Sequence, residues 1–333
     1  MGEFDLIKSY FTRPAKRAAL GVGDDCALLQ PAAGTQLAIS SDMLVEGRHF
    51  FADVDPFTLG HKALAVNLSD LAACGATPLA FTLALALPSA NADWLAPFSR
   101  GLLALADAHH CELVGGDTTQ GPLNICITVF GEVPVVGGKS QALLRSGACV
   151  GDDIYVSGTL GDARLALETM RGTVALPAEL FAQTRRRLEQ PTPRVALGQA
   201  LRGVASAAID VSDGLLGDLQ HILKMSGVGA VIETEIAINL IASCTSLTYS
   251  KGLISLNKQL EYVLAGGDDY ELAFTAPVSV RAVVQAASQQ ADTRVTRIGK
   301  IEQTAGLRLV DGDGNLLPAS FSSFDHFAGL DLT

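Results

Sequence analysis

Five stretches of the chain place acids beside glycine or serine: Gly23-Asp24-Asp25, Ser40-Ser41-Asp42, Gly115-Gly116-Asp117, Asp210-Val211-Ser212-Asp213-Gly214 and Gly266-Gly267-Asp268-Asp269. Each reads as a strand end or a turn. Loops on rigid scaffolds are where functional groups concentrate, and glycine lets a backbone approach a ligand closely. Aspartate oxygens are hard ligands suited to Mg²⁺, which keeps some waters and takes a few carboxylates together with substrate phosphates. If Asp25, Asp42, Asp70 and Asp117 converge, charge decides the matter. Two carboxylates about 4 Å apart repel by roughly 4 kcal/mol at an effective dielectric of ~20, so several together require cations. Aspartate and glycine are also the ordinary residues of turns, and any one of these stretches alone is more often a turn than a ligand. It is the recurrence that points to metal chemistry.

Asp70 is the sixth case and has a different setting. The stretch from Asp55 to Pro78 predicts one long helix, with Asp55 as N-cap, Pro56 in the first turn, and Gly75 then Pro78 as stops. Its body is apolar on most sides, which predicts burial by more than one neighbour. Asn67 and Asp70 sit in the middle, three apart and therefore on one face. A carboxylate there needs a partner, because unpaired burial costs several kcal/mol or so. No Lys or Arg lies one turn away on that face. A metal ion is the candidate.

The elements around these acids alternate. A short amphipathic helix over residues 4–11 and a basic segment, Arg13 to Arg17, lead to the first acidic turn and a strand over 26–30. A strand over 36–41 ends in Asp42, and the next loop carries Glu46, Arg48 and His49. After the long helix come an apolar strand over 79–87, a helix over about 93–110, a strand over 112–114 running into Gly115-Gly116-Asp117, and a strand over 123–133. Gly137-Gly138-Lys139 and Arg145-Ser146-Gly147 read as the crossover between two domains. Beyond it a strand over 153–157, a strand over 207–209 with a helix over 215–225, and a helix over 258–265 with a strand over 270–274 position the later acids. Such alternation predicts α/β or α+β domains with mixed sheets.

Composition narrows the classes. The 333 residues suffice for two domains, and 48% hydrophobic content with 18% charged residues describes a well-buried globular protein. A formal charge of −11 argues against a general nucleic-acid binder. An acidic chain also repels nucleotides unless divalent cations intervene. The N-terminal stretch lacks a signal-peptide pattern, and the longest apolar run, residues 79–87, is too short to span a bilayer. Six cysteines show no CxxC pair, as in a reducing compartment, so the expected location is the cytoplasm.

Standard motifs fail. Residues 133–140 carry the tail of a P-loop, but Val133 stands where the first glycine is needed, and no Rossmann or kinase signature appears. Residues 311–315 begin like a calcium loop, but Leu316 and Ser322 occupy its required Gly and Glu positions, so a hairpin turn is expected. His109-His110-Cys111 reads as a helix end, and Arg185-Arg186-Arg187 as a solvated helix face.

Taken in order, the motifs resemble the thiamine-monophosphate kinase family, a relative of aminoimidazole ribonucleotide synthetase and selenophosphate synthetase. The similarity runs from Gly2-Glu3-Phe4 through Gly21-Val22-Gly23-Asp24-Asp25-Cys26-Ala27, Ser40-Ser41-Asp42, His49-Phe50 and Asn67-Leu68-Ser69-Asp70. It continues through Gly115-Gly116-Asp117-Thr118-Thr119, Arg145-Ser146-Gly147, Ile209 to Gly214, and Gly266 to Leu272, ending at Phe324-Asp325-His326-Phe327. The resemblance implies ATP-dependent phosphorylation of thiamine monophosphate to thiamine diphosphate with several Mg²⁺ ions, by direct in-line transfer of the γ-phosphoryl group. It implies that Asp25, Ser40, Ser41, Asp42, Asp70, Asp117 and Asp210 hold magnesium, with Asp213 on a further ion. Asp25, Asp42, Asp70, Asp117 and Asp210 would form the catalytic set. Gly116, Asp117, Arg145 and Ser212 would contact ATP, and His49, Asp268 and Phe321 would meet the thiamine side.

The same resemblance implies a homodimer in which N-terminal sheets pair. Residues 1–147 would bind ATP and magnesium and dimerise, and an α/β domain over 148–333 would complete the active site. Two positions depart from the family pattern: Asp268 stands where Glu is usual and Phe321 where Trp is usual. A tyrosine often found near the adenine has no equivalent, His109 and His110 being nearest. Two other readings stand beside this one. A relative of the same superfamily would keep the ATP site and change the acceptor, although Cys26 does not resemble the reactive loop of a selenophosphate synthetase. A non-enzymatic acidic metal binder would bind cations independently of nucleotide.

Overall fold

The computed structural model describes residues 2–240, 254–317 and 321. Cys244 and the stretch 324–327 lie outside the described residues. The chain divides into two units, Met1–Ala142 and Leu143–Thr333.

In the first unit the strands β1 (Thr35–Val45), β2 (Thr77–Leu87), β3 (Glu112–Gln120) and β4 (Asn124–Val136) form a sheet in the order β1-β4-β2-β3, with the two-residue β5 (Lys139–Ser140) paired to β4. β4 runs antiparallel to both neighbours, and β2 pairs with β3 in parallel. The parallel pair is joined by helix α3 (Ala92–Ala108), as a parallel connection requires. The short helix α1 spans Glu3–Tyr10.

Helix α2 (Pro56–Ala73) is the predicted long helix. Asp55 accepts the amides of Phe57 at 2.8 Å and Thr58 at 3.2 Å, and Gly75 adopts φ 67° just beyond the end. Its apolar circumference has two neighbours, the sheet and α3. Two glycines let the helices touch. A Cβ on Gly60 would stand 2.1 Å from the Phe98 carbonyl oxygen, and one on Gly101 would stand 1.9 Å from that of Phe57.

The second unit is a seven-stranded mixed sheet, ordered β12-β11-β8-β10-β6-β9-β7. Its strands are β6 (Asp153–Ser157), β7 (Ala207–Val211), β8 (Gly229–Glu233), β9 (Glu271–Ala276), β10 (Val295–Glu302), β11 (Gly306–Val310) and β12 (Leu316–Leu317). Helices α4 (Asp162–Met170), α5 (Ala178–Glu189), α6 (Val195–Ala200), α7 (Leu215–Ser226), α8 (Thr234–Ala237), α9 (Leu256–Ala265) and α10 (Arg281–Gln290) complete it. Its core joins Ile154, Val156, Ile209 and Val211 of the sheet to Leu215, Leu219 and Tyr262 of the helices. Residues 311–315 form the predicted hairpin turn, with Asp311 accepting the amides of Asp313 and Asn315. Both units are therefore α/β with mixed sheets. Among the described residues, no helix is long and apolar enough to cross a membrane.

Some elements differ from expectation. β1 extends to Val45 and β3 to Gln120, so Asp42 and Asp117 lie within strands rather than at their ends. The expected strand over 26–30 is reduced to a bridge between Leu20 and Leu28. Arg187 is not on a solvated face: it pairs at 2.7 Å with Glu271, which is wholly buried.

Candidate active site

Residues 19–28 close into a loop, with the Ala19 amide 2.9 Å from the Leu28 carbonyl and the Leu28 amide 2.9 Å from the Leu20 carbonyl. Gly23 (φ 125°), Asp24 and Asp25 form its tip, where both acids are exposed. The tip borders a cleft of about 690 Å³ that also meets Gly115, Gly116, Asp117 and Thr118 on β3 and Phe4 and Phe11 at the ends of α1. Gly116 has φ 144°, and a Cβ there would lie 1.8 Å from the Leu83 carbonyl oxygen. Only glycine lets β3 run past β2 at this point while presenting Asp117 to the cleft.

A second group lies under α2. The Ser40 hydroxyl donates to the Asp70 carboxylate, and the Asp42 amide donates to the Asn67 side-chain oxygen at 3.1 Å. Asp70 is half-buried rather than enclosed, and Ser40 supplies the partner that no basic residue on the helix could. Ser41, its neighbour in an alternating strand, faces the other way and meets Thr128 at 3.0 Å. His49 closes the loop after β1. Its Nδ1 accepts the Val45 amide at 2.9 Å, which leaves the proton of the neutral ring on Nε2, and the buried Lys62 donates to its carbonyl at 3.4 Å.

In the second unit two loops interlock. The Asp268 amide donates to the Ser212 carbonyl and the Tyr270 amide to the Val211 carbonyl, both at 2.8 Å. Asp268 (φ 66°) and Tyr270 (φ 51°) adopt left-handed conformations to do so. Asp210 is buried at the end of β7, Ser212 is half-buried and Asp213 is exposed. Beneath them Asp218 accepts the amides of Ser212, Asp213 and Gly214 at 3.0, 3.0 and 3.1 Å. Burial, and secondarily the charge of Asp213, pushes the Asp218 carboxyl up to about 7. Asp269 is wholly buried and accepts the Gly161 amide, and burial holds its carboxyl well above the usual range. Arg145 is exposed, on a segment whose Leu144 carbonyl accepts the Ala208 amide at 2.9 Å. Phe321 packs against the core of this unit.

Comparison with known proteins bears on these groups. Residues 23–142 match the family model for the N-terminal domain of AIR synthase related proteins, and residues 150–312 match that for the C-terminal domain. A thiamine-monophosphate kinase of Salmonella typhimurium is 44% identical over 333 residues, 98% of each chain. The chain belongs to the thiamine-monophosphate kinase family. Among solved structures, the family member from Stenotrophomonas maltophilia superposes with a TM-score of 0.80 at 44% identity, covering 90% of this chain and 92% of the other. AaThiL, solved in complex with AMPPCP and TMP, superposes with a TM-score of 0.74 at 28% identity, covering 90% and 89%.

The family implies magnesium, and the donors here fit it. All are oxygens, from carboxylates and serine hydroxyls. Among the described residues, no three acidic, histidine or cysteine side chains are grouped so that they could hold a metal ion. Sheet order gives the reason within the first unit: β4 and β2 lie between β1 and β3, so Asp42 and Asp117 are separated by three strand spacings, roughly 14 Å. Asp25 and Asp117 share the cleft, while Ser40, Asp42 and Asp70 gather under α2. One or two carboxylates completed by water and phosphate is the arrangement Mg²⁺ favours over an all-protein cage.

Asp218 escaped sequence reasoning, as did the burial of Asp269 and the pairing of Glu271 with Arg187 and Arg194, although Asp269 itself lay in one of the acid-glycine stretches. Glu271 accepts Arg187 at 2.7 Å and Arg194 at 2.6 Å, pairings that span 84 and 77 residues. Asp218 did carry a local signal, four residues beyond Gly214 on a helix it could cap from within.

Proposed function

We infer that this chain is an ATP-dependent kinase that phosphorylates thiamine monophosphate to thiamine diphosphate. The observation that carries the reading is whole-length similarity, 44% identity across 98% of the chain, to a kinase named for that substrate. In chemical terms an oxygen of the substrate phosphate forms a bond to the γ-phosphorus as the bond to ADP breaks. No covalent enzyme intermediate is invoked; the transfer is direct and in line.

Phosphoryl transfer asks for positioning and charge neutralisation more than for covalent help. Magnesium, when bound, supplies positive charge that an acidic chain lacks. Asp25 and Asp117 at the cleft, Ser40, Asp42 and Asp70 on the α2 side of β1 and, in the second unit, Asp210 and Asp213 are proposed as its ligands. Ser41, whose hydroxyl faces the other side of the strand, is proposed as one through its backbone alone. Asp25, Asp42, Asp70, Asp117 and Asp210 would hold the magnesium, which would offset the charge of the reacting phosphates. Gly116, Arg145 and Ser212 are proposed to contact ATP, Gly116 through backbone that no side chain obstructs. His49, Asp268 and Phe321 are proposed for the thiamine side, with Phe321 retaining an aromatic surface. Residues 1–147 are assigned to ATP, magnesium and dimerisation, and 148–333 to the remaining ligands.

A homodimer is part of this reading. On β1 the face opposite α2 leaves Leu37, Ile39 and Met43 exposed at 45%, 60% and 52%. Such a stripe on an edge strand suits a second copy of the same sheet.

The test is product analysis after mixing the protein with ATP, Mg²⁺ and thiamine monophosphate, beside unphosphorylated thiamine and EDTA controls. Thiamine diphosphate formed only from the monophosphate and only with metal is expected. ATP binding without diphosphate would leave the family fold and overturn the acceptor, with Asp268 and Phe321 as the first suspects.

A further inference from the structure

The acidic tip at Asp24 and Asp25 has no regular secondary structure to hold it, yet it borders the cleft on which the proposed function depends. Two glutamates outside the acid-rich motifs account for its position. Glu112, the first residue of β3, accepts three successive backbone amides: Lys16 at 3.0 Å and Arg17 at 2.8 Å on Oε1, and Ala18 at 3.1 Å on Oε2. Glu132 on β4 is 8% exposed. Its Oε1 accepts the Ala32 amide at 2.7 Å and its Oε2 the Arg17 guanidinium at 3.3 Å. The same guanidinium donates to the Pro78 carbonyl at 3.2 Å.

These bonds grip the segment on both sides of the loop, at 16–18 before it and at 32 after it. Between the two grips, Ala18, Ala27 and Leu29 rest on Leu79, Ala80, Val114 and Phe130 of the sheet. Carboxylates that bridge backbone amides fix a chain's path more tightly than apolar contact does, because hydrogen bonds are directional. Glu112 also begins the strand that delivers Gly115, Gly116 and Asp117 to the cleft. One residue thus ties the loop bearing Asp25 to the strand bearing Asp117.

We propose that Glu112 and Glu132 are positioning residues, which hold the acidic loop by its two ends and so set the distance between Asp25 and Asp117 across the cleft. The proposal rests on the reading of that cleft as the magnesium–nucleotide site. Neither glutamate touches the reacting groups; both act through the loop.

The experiment compares the full-length protein with E112Q, E132Q, R13Q and D25N. A glutamine keeps the volume, but at Glu112 it turns one acceptor into a donor that faces amide hydrogens. R13Q is the control, since Arg13 pairs with Asp107 on the surface, where ion pairs contribute little. The first readout is hydrogen exchange of the metal-free protein over residues 12–34. Exchange should quicken by about tenfold or more in E112Q and in E132Q while α2 keeps its protection. The second is the Mg²⁺ concentration giving half-maximal turnover. It should rise about tenfold in both variants, with full turnover regained at high Mg²⁺ and the KM for thiamine monophosphate unchanged. R13Q should alter neither.

Unchanged exchange in both glutamine variants overturns the proposal, as does an equal effect of R13Q. So does a loss of turnover that magnesium does not restore. If one glutamine variant fails to fold, the other still decides. D25N separates the two levels of the argument. A normal magnesium requirement in D25N overturns the metal reading of the loop, whereas a raised one in D25N but not in E112Q and E132Q overturns positioning alone.

Discussion

The two units present their acids by opposite means. In the first, Asp24 and Asp25 ride on an exposed tip gripped only at its ends, and Asp70 is half-buried beside a serine. In the second, Asp210 to Gly214 and Gly266 to Tyr270 are joined backbone to backbone, with Asp218, Asp269 and Glu271 buried below. The first arrangement places its carboxylates at a surface, on a loop tied at both ends. The second is rigid before any ligand arrives, with left-handed backbone at Asp268 and Tyr270 kept in place by the surrounding bonds. One chain thus separates acids on an exposed tip from a preformed wall.

Substitutions in the two units should therefore fail differently. The largest effect on stability is expected from Glu271→Leu, which strands Arg187 and Arg194 without their shared carboxylate. It should cost about 3–5 kcal/mol, read by denaturant unfolding. A cost under about 1 kcal/mol would mean that the wall is not held from below. Asp70→Asn should do the reverse. The amide still accepts the Ser40 hydroxyl, so the melting curve stays in place, while turnover drops by about two to three orders of magnitude. Near-normal activity in that folded variant would remove Asp70 from the metal ligands.

A pair of glycines gives the finest discrimination. Gly267→Ala would bring a methyl 2.6 Å from the Ser212 carbonyl oxygen, inside the interlock, and should cost about 2–3 kcal/mol. Gly23→Ala meets nothing within 4 Å and carries only backbone strain at φ 125°, about 1 kcal/mol. Equal shifts in melting temperature would erase the contrast between a packed loop and a free one.

How much of this was legible beforehand depends on how local the cause was. Helix α2 could be read because its cap, its stop and its apolar circumference all lie within the helix or beside it. Glycine was the misleading signal on β3. Gly115-Gly116 looks like punctuation, yet Gly116 keeps the strand going by letting it pass close to Leu83. Nothing near position 116 announces Leu83, because β2 and β3 are brought together by a helix packed elsewhere. Arg187 failed for the same reason: beside Arg185 and Arg186 it looks solvated, and its partner Glu271 lies 84 residues away. The acids themselves were legible as a set. Their division into a cleft group and a group under α2 follows from strand order, which no single stretch of sequence encodes.

Asp218 carries one more consequence. The opening turn of a helix is ordinarily a ready seat for a phosphate, since its amides point outward with no acceptor of their own. Just ahead of α7 the amides of Ser212, Asp213 and the N-cap Gly214 are taken by Asp218 of the helix itself. A phosphate approaching this loop meets those three amides already occupied, with the exposed Asp213 carboxylate beside them. These three amides therefore serve to hold the loop to its own helix and are not seats for a phosphate.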